Sequence, residues 1–475
     1  MRRLLSLQGA RHSLGAIFTS GTSGWGKTPP IEPRSQPMTR PQLRECPGCG
    51  QFQIVPALGP DMRSNCVRCG TALRLTRADP LNRHLALTFA ALVLFAVLWL
   101  AMLMKVSTAG IVHETTLESG PIELVDRGLW PLALAVAFTT AIAPLIKFAG
   151  TVYVLVGLKM RWLPPNLRGV FLVARRMGTW AMLEVLLLGV FVAYTKLGDL
   201  VTIELGPAVY ALGLLTVVVV WAEAAFDPHA VWEEIERRGQ THAPMPEMAP
   251  LDFRPGAAGC EGCGLVCVPA EGDGRCPRCG SAVHERKPAS IVRTWAFVIA
   301  AAILYIPANV YPVLTVIQLG AGQPSTILGG VEELLASQMY PLALLVFFAS
   351  ILVPLFKLIG LSAMLLATQL VGPESGAAML LRERTRLYYV VAWIGRWSMV
   401  DIFMESLLGA LVQFGRAVTI EPGIGAVAFC AVVFITIFAA EAFDPRLMWD
   451  AAARNAHRPL PSGRAYPGTA ASAVS

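Results

Sequence analysis

Eight cysteines fall into four Cys-x2-Cys knuckles: Cys46 with Cys49, Cys66 with Cys69, Cys260 with Cys263, and Cys276 with Cys279. Taken two knuckles at a time, they have the spacing of two zinc ribbons. Four thiolates about 2.3 Å from a metal close a tetrahedral shell, so no coordination position stays open and the expected role is structural. The glycine after each second cysteine (Gly50, Gly70, Gly264, Gly280) supplies a positive φ that turns backbone amides toward sulfur. Zinc is the expected metal at both sites, with iron in a rubredoxin-like site as the alternative. Modules this small cannot fold on an apolar core, so metal binding supplies their folding energy. An extra cysteine, Cys267, falls inside the second ribbon, and Cys430 lies alone in an apolar run, where it reads as a small filler.

Charged residues inside membrane-length apolar runs are the second chemical signal. Lys147 sits in LWPLALAVAFTTAIAPLIKFAGTVYVL and Lys357 in MYPLALLVFFASILVPLFKLIGLSAML. The two runs share prolines at matching positions, Pro131 and Pro144 against Pro341 and Pro354, at the 210-residue offset that also relates the lysines. Further on, WAMLEVLLLG carries Glu184, while WSMVDIFMES carries Asp401 and Glu405. The latter two are four apart and share one helix face. An unpaired charge at mid-bilayer costs at least about 2.5–3.5 kcal/mol. Pairing at matched depth is therefore expected, Lys147 with Glu184 and Lys357 with one or both of Asp401 and Glu405.

Two readings of these charges stay open, a salt bridge that fixes helix packing and the polar lining of a cavity or proton relay. The surplus acid marks the second set as the working one, titrating as a coupled group. Thr139, Thr140 and Ser350 extend a polar path along the same runs, and Pro144 and Pro354 free backbone carbonyls near each lysine. Glu223 and Glu441 either join these clusters or reach the headgroup region. Trp180 and Trp397 read as interfacial anchors, and FDP at Phe226 and Phe443 reads as a helix stop, with Trp232 and Trp449 on the membrane surface.

The elements that must position these groups follow from composition. The 475 residues are 55% hydrophobic and 15% charged, with mean hydropathy +0.56, against about 25% charged in soluble domains. The net charge of +7 is modest, and no basic stripe with interleaved aromatics suggests nucleic acid. Neither an HExxH helix nor a GxSxG elbow is present, and no nucleotide motor is expected.

An internal duplication organises the chain. Each copy holds a ribbon and four apolar runs, expected as spans at 84–106, 129–156, 176–197 and 207–226, then 291–316, 339–368, 393–414 and 423–443. Basic residues crowd the short loops at 157–179, whereas 316–338 holds no Lys or Arg, which places both termini and both ribbons in the cytoplasm. VTIELG at Val201 and VTIEPG at Val418 alternate as strands, and TTLESGPIEL reads as two more around Ser-Gly-Pro, giving a small outer sheet in each half.

The expected fold is an all-α polytopic membrane protein of eight transmembrane helices. It is a tandem repeat of a four-cysteine zinc ribbon and a four-helix transmembrane bundle with a small periplasmic β-sheet. The expected boundaries are a disordered extension at 1–40, ribbon 1 at 41–78, bundle 1 at 79–235, a Pro-rich linker at 236–256, ribbon 2 at 257–286, bundle 2 at 287–452 and a disordered tail at 453–475.

The order of CPxCG ribbons, P-L-x-K, WxM-x-[DE], VTIE and FDP, repeated twice over roughly 44–452, resembles the paraquat-inducible protein A family. The resemblance implies a bacterial inner-membrane protein that partners an MCE-domain periplasmic tunnel protein and moves phospholipid or other membrane lipid between membranes. It also implies four-span bundles similar to tetraspanins and claudins, with the outer sheets docking the MCE ring, and no catalysis. The N-terminal extension departs from the family's compact start, and WAMLE lacks the serine of WSMVD and a second acid one turn on. A membrane oxidoreductase using Cys-bound metal and a passive anchor for the tunnel protein are the alternatives.

Overall fold

The computed structural model describes residues 41–108, 111–197, 202–243, 256–268, 274–318, 321–370, 380–411 and 418–456. The extension expected at 1–40, the middle of the 236–256 linker and the tail beyond 456 lie outside the described residues.

The first half opens with two antiparallel hairpins, β1 Gln42–Glu45 with β2 Phe52–Val55, and β3 Arg63–Asn65 with β4 Ala72–Leu75. Helix α1, Pro80–Leu100, follows. Its Pro80 sits in the first turn, where a missing N–H costs nothing. Strands β5 Met104–Thr108 and β6 Ile111–Thr115 come next, then α2 Ser119–Asp126. The second span is α3 Trp130–Ala137, a π-helical turn at Phe138–Ile142, and α4 Ala143–Gly157. The third is α5 Leu167–Gly178 with α6 Leu183–Leu197; β7 Thr202–Leu205, α7 Pro207–Ala225 and α8 Pro228–Arg237 complete the half.

The second half repeats this order. It runs β8 Ala258–Gly259, β9 Val266–Cys267, α9 Ser290–Val310, β10 Leu314–Gln318, β11 Ala321–Ser325, α10 Ile327–Ala336 and α11 Tyr340–Val346. After a π-helical turn at Phe347–Leu352 come α12 Val353–Leu370 and α13 Leu381–Ile394. A 3-10 turn at Gly395–Met399 leads to α14 Val400–Leu411, β12 Val418–Pro422, α15 Ile424–Ala442 and α16 Arg446–Ala456.

Among the described residues, seven helical stretches are long and apolar enough to cross a membrane. The eighth expected span, 393–414, corresponds to the 3-10 turn and α14, which ends at Leu411 where the described chain pauses. Alternation of side chains built the outer sheets, ordered β6-β5-β7 and β11-β10-β12, both antiparallel. In register, Met104 faces Leu205 and Leu314 faces Pro422. One expectation fails here: Ser119–Asp126 is a helix, not a strand. Pro121 falls in its first turn, where proline is tolerated, and the strand that pairs with β5 lies upstream instead.

Each π-helical turn lies just before the proline expected to break backbone bonds, Pro144 or Pro354. The nearby hydroxyls are committed to their own helix. Thr139 and Thr140 donate to Ala135 and Val136 carbonyls at 2.8 Å, and Ser350 to Val346 at 2.7 Å. They fill carbonyls that a widened turn leaves short of N–H partners. Their donor hydrogens are thus used within the helix, and only their acceptor lone pairs face outward.

Candidate functional site

All eight knuckle cysteines gather as two buried clusters, and within each the four sulfurs lie within 4.8 Å of one another. Cys46 and Cys69 sulfurs are 3.4 Å apart and Cys49 and Cys66 3.5 Å, with the same values for Cys260–Cys279 and Cys263–Cys276. A tetrahedron of about 2.3 Å metal–sulfur bonds has edges of about 3.8 Å, so the donor set fits a thiophilic metal, which would cross-link two hairpins in each ribbon. Every knuckle turns the same way. Gly50, Gly70, Gly264 and Gly280 have φ between 70° and 81°, and each amide donates to the carbonyl of the first cysteine at 2.8–2.9 Å. Cys267 lies on β9 outside the four-sulfur set, and Cys430 is buried in the core shared by both bundles.

The ribbons sit crosswise. Ribbon 1 packs its cysteines, Val55 and Leu73 with Leu361, Val391 and Trp449 of the second half. Ribbon 2 packs with Val154, Phe171 and Trp232 of the first. Arg68 lies 4.5 Å over the Trp449 ring, whose Nε1 donates to Thr385. Trp232 is fully buried against Phe171, with ring centroids 5.0 Å apart. Neither tryptophan lies on the membrane surface as the sequence suggested, because each is claimed by a ribbon. FDP does more than stop a helix: Asp227 caps α8 by accepting from His229 and Ala230 amides, with Pro228 in the first turn.

The ribbons also touch each other through Glu45. Its carboxylate accepts from Arg286 and Arg446, each at 3.0 Å, and from the Gly259 amide at 2.7 Å. On the other flank Arg74 pairs with Glu233 at 2.7 Å and Arg278 with Glu236 at 2.6 Å. Arg44 donates to Nδ1 of His229 at 2.9 Å. Burial first, then the positive field of Arg44 and Arg74, holds the His229 pKa well below the usual histidine range.

The intramembrane pairs are not those expected. Lys147 bonds Glu223 at 2.6 Å, and Glu184 instead faces Arg396 of the other half at 3.7 Å. Lys357 is 2% exposed, and its ammonium has no hydrogen-bond partner. Among the described residues it makes no ion pair with Asp401 or Glu405, whose Oδ1 and Oε2 are likewise buried without a partner. The matched depth expected of Lys357 and the acids is not found: α13 begins at Leu381, and Asp401, on α14, follows it by about 30 Å of chain at 1.5 Å per residue. Lys357 lies only about 20 Å along α12 from its ribbon end at Leu370 by the same rise.

Lysine and acids accordingly line different cavities. The larger, about 1520 Å³, lies at the ribbon end between the two halves. Its wall is mainly apolar, with Phe191, Val220 and Trp393, and it holds Lys147, Glu223, Lys357, Glu184 and Arg396. The smaller, about 40 Å³, is lined by Asp401, Glu405 and Lys196, with Ser325 and Thr326 from the outer-sheet side. Ser350 reaches neither lining.

Further features of the site stand in the sequence itself. Gly178 and Gly395 share the 217-residue offset and make room for the lysines: a Cβ on Gly395 would lie 3.2 Å from Lys357 Nζ. Trp180 is buried, stacked on Phe434 of the other half at 5.6 Å, so it joins the halves instead of anchoring one at the interface. GTSGWGKT at 21–28 has the spacing of a phosphate-binding loop, against the expectation of no nucleotide motor, and lies outside the described residues.

The chain matches the family model described as paraquat-inducible protein A over residues 81–236 and 291–453. It is 32% identical over 419 residues to the intermembrane transport protein PqiA of Escherichia coli (strain K12), covering 87% of this chain and 96% of that one. It is 30% identical over 414 residues to the lipophilic envelope-spanning tunnel protein A of the same strain, covering 87% and 92%. A probable intermembrane transport protein of Haemophilus influenzae is 26% identical over 425 residues, covering 87% and 97%. No solved structure matches the chain. The spans, the paired cysteine clusters and these relatives agree: this multi-pass membrane protein belongs to the paraquat-inducible protein A family.

Proposed function

We propose that the chain is the inner-membrane subunit of a lipid transport system, handing phospholipid or other lipid to a periplasm-spanning MCE-domain tunnel protein. The observation that carries this reading is the cavity of about 1520 Å³ between the halves. It exceeds the about 300–1,000 Å³ usual for small-molecule sites. Mainly apolar walls that also carry charged side chains match an amphipathic cargo. The names of the relatives, intermembrane transport and envelope-spanning tunnel, support the same reading.

In this scheme the Arg-rich loops and ribbons face the cytoplasm, both ribbons hold zinc, and the outer sheets meet the tunnel protein. The chain performs no catalysis. The second half does the work, with Lys357 setting the polarity of the large cavity and Asp401 and Glu405 that of the small one. Replacing Lys357, Asp401 and Glu405 singly tests this. Envelope lipid composition should shift in at least one variant at normal protein level; unaltered lipid balance in all three overturns the role of these groups. Purifying the complex with its lipid and partner, identified by mass spectrometry, tests the wider reading.

A further inference from the structure

The two halves treat their buried lysines differently, and the cause is a single register slip. From Gly178 onward the second half follows the first at an offset of 217: Gly178 to Gly395, Glu184 to Asp401, Phe226 to Phe443. By that offset the residue matching Glu223 is Ala440. The nearest acid, Glu441, is one position further on, about 100° around the helix at 3.6 residues per turn. Glu223 therefore neutralises Lys147 at 2.6 Å, whereas Lys357 has no carboxylate partner among the described residues.

Both lysines line the same cavity, as does Ala440. The other acidic and basic side chains there are Arg175 and Arg396 against Glu184, Glu223 and Glu441, with His84, whose Nδ1 donates to the Ala222 carbonyl, left out of the count. Four formal positive charges thus face three negative ones. Lys147 and Arg396 have their own carboxylates and Arg175 donates to the Gly262 carbonyl, so among the described residues Lys357 is the cation of this wall left with no hydrogen-bond partner. Within apolar walls such a surplus is weakly screened and attracts an anion.

We propose that the cavity selects a monoanionic phosphodiester, a phospholipid with an uncharged headgroup such as phosphatidylglycerol, over a zwitterionic one. The inference rests on the lipid-transfer reading and narrows its cargo. Net charge then decides between lipids of similar chain length. A zwitterion brings its own ammonium to a site that already holds one too many. The monoanion restores neutrality.

The test uses the full chain in nanodiscs of equimolar phosphatidylglycerol and phosphatidylethanolamine, with native mass spectrometry of the lipid retained after extraction. Wild type should retain the anionic lipid several-fold over the zwitterionic one, on the order of tenfold for a weakly screened unit charge. Ala440→Glu supplies the carboxylate that the first half possesses and should bring the ratio near unity. Ala440→Gln adds the same bulk without charge and should keep the bias. Should Ala440→Glu fail to fold, Lys357→Gln must remove the bias in its place. Retained lipid with no headgroup bias, or a bias that survives loss of the charge surplus, overturns the proposal and leaves the transport reading intact. No retained lipid of either kind sinks the transport reading itself. A last arm adds millimolar inorganic phosphate: if the ion displaces lipid and is itself retained, the occupant is free phosphate and the lipid proposal is overturned.

Discussion

Lys147 Nζ lies 2.6 Å from Glu223 Oε1, a pair that the second half cannot form because Ala440 holds the matching position. A second mismatch runs the same way. Glu184 faces Arg396, but Asp401, its counterpart, would look toward the residue that matches Arg396, which is Thr179. Two substitutions thus leave Lys147 and Glu184 paired while Lys357 and Asp401 make no such ion pair among the described residues. Duplication supplied two sets of charges, and divergence of the partners made them unequal.

The paired set should behave as structure. Glu223→Gln leaves Lys147 without its partner in a side chain that is 16% exposed. A fully buried pair would lose about 3–5 kcal/mol, and the half-exposed carboxylate should reduce that to about 1–2 kcal/mol. Thermal unfolding of the purified protein should fall by a few degrees, and Lys147→Gln with Glu223→Gln together should recover part of the loss. An additive double mutant would show that the two groups are not coupled.

Metal loss should act crosswise. Cys46→Ser should drop one metal per chain, and hydrogen exchange should rise in α13 and α16, which hold ribbon 1, more than in α4 and α5. Cys260→Ser should do the reverse. Exchange rising instead in the bundle that follows each ribbon in sequence would contradict the crossed packing.

Acid should loosen the ribbon junction. His229 is held neutral in the fold, while an unfolded histidine titrates near about 6.5. Its contribution is complete above that value and declines as pH falls through it, because the unfolded chain then binds a proton that the fold excludes. At about one pH unit below, the loss approaches about 1.4 kcal/mol. Thermal unfolding across this range should be steeper in wild type than in His229→Gln, which can still accept from Arg44. Equal slopes would remove His229 from the account.

Gly206 and Gly423 should tolerate no side chain. Their φ values, −79° and −97°, are ordinary, so the constraint is contact and not conformation. A Cβ at either would collide with a backbone carbonyl, of Met102 or of Pro312, where the last strand enters its helix. Backbone cannot rotate away as a side chain does, so Gly206→Ala and Gly423→Ala should each cost at least the about 1–3 kcal/mol of overpacking. Gly213→Ala, inside α7 with open space around it, is the control and should not lower the melting temperature, since alanine favours a helix interior over glycine.

What could be read from sequence was whatever depends on local periodicity. The second span, expected at 129–156, runs from Trp130 to Gly157, because a bilayer-length apolar run has one way to satisfy its backbone. The four knuckles turned as their glycines required. The depth of the acids is not legible in the same way, because the basic Arg396 that precedes them lies in a 3-10 turn well beyond the start of α13 at Leu381. The crossing of the ribbons left no trace in either repeat, since Val55 and Phe171 look alike whichever bundle they meet. Pairings between repeats are set by surfaces, and periodicity carries no record of them.

That crossing bears on how such a chain can be divided. A single repeat would separate its cysteine module from the bundle that seats it here and leave its own tryptophan, Trp232 or Trp449, bare. It could be completed only by a second copy lending its own module in exchange, an arm-swapped homodimer of closed twofold symmetry. Fusing two such copies fixes the stoichiometry at one of each, and only then is either copy free to diverge without forcing the same change on its twin.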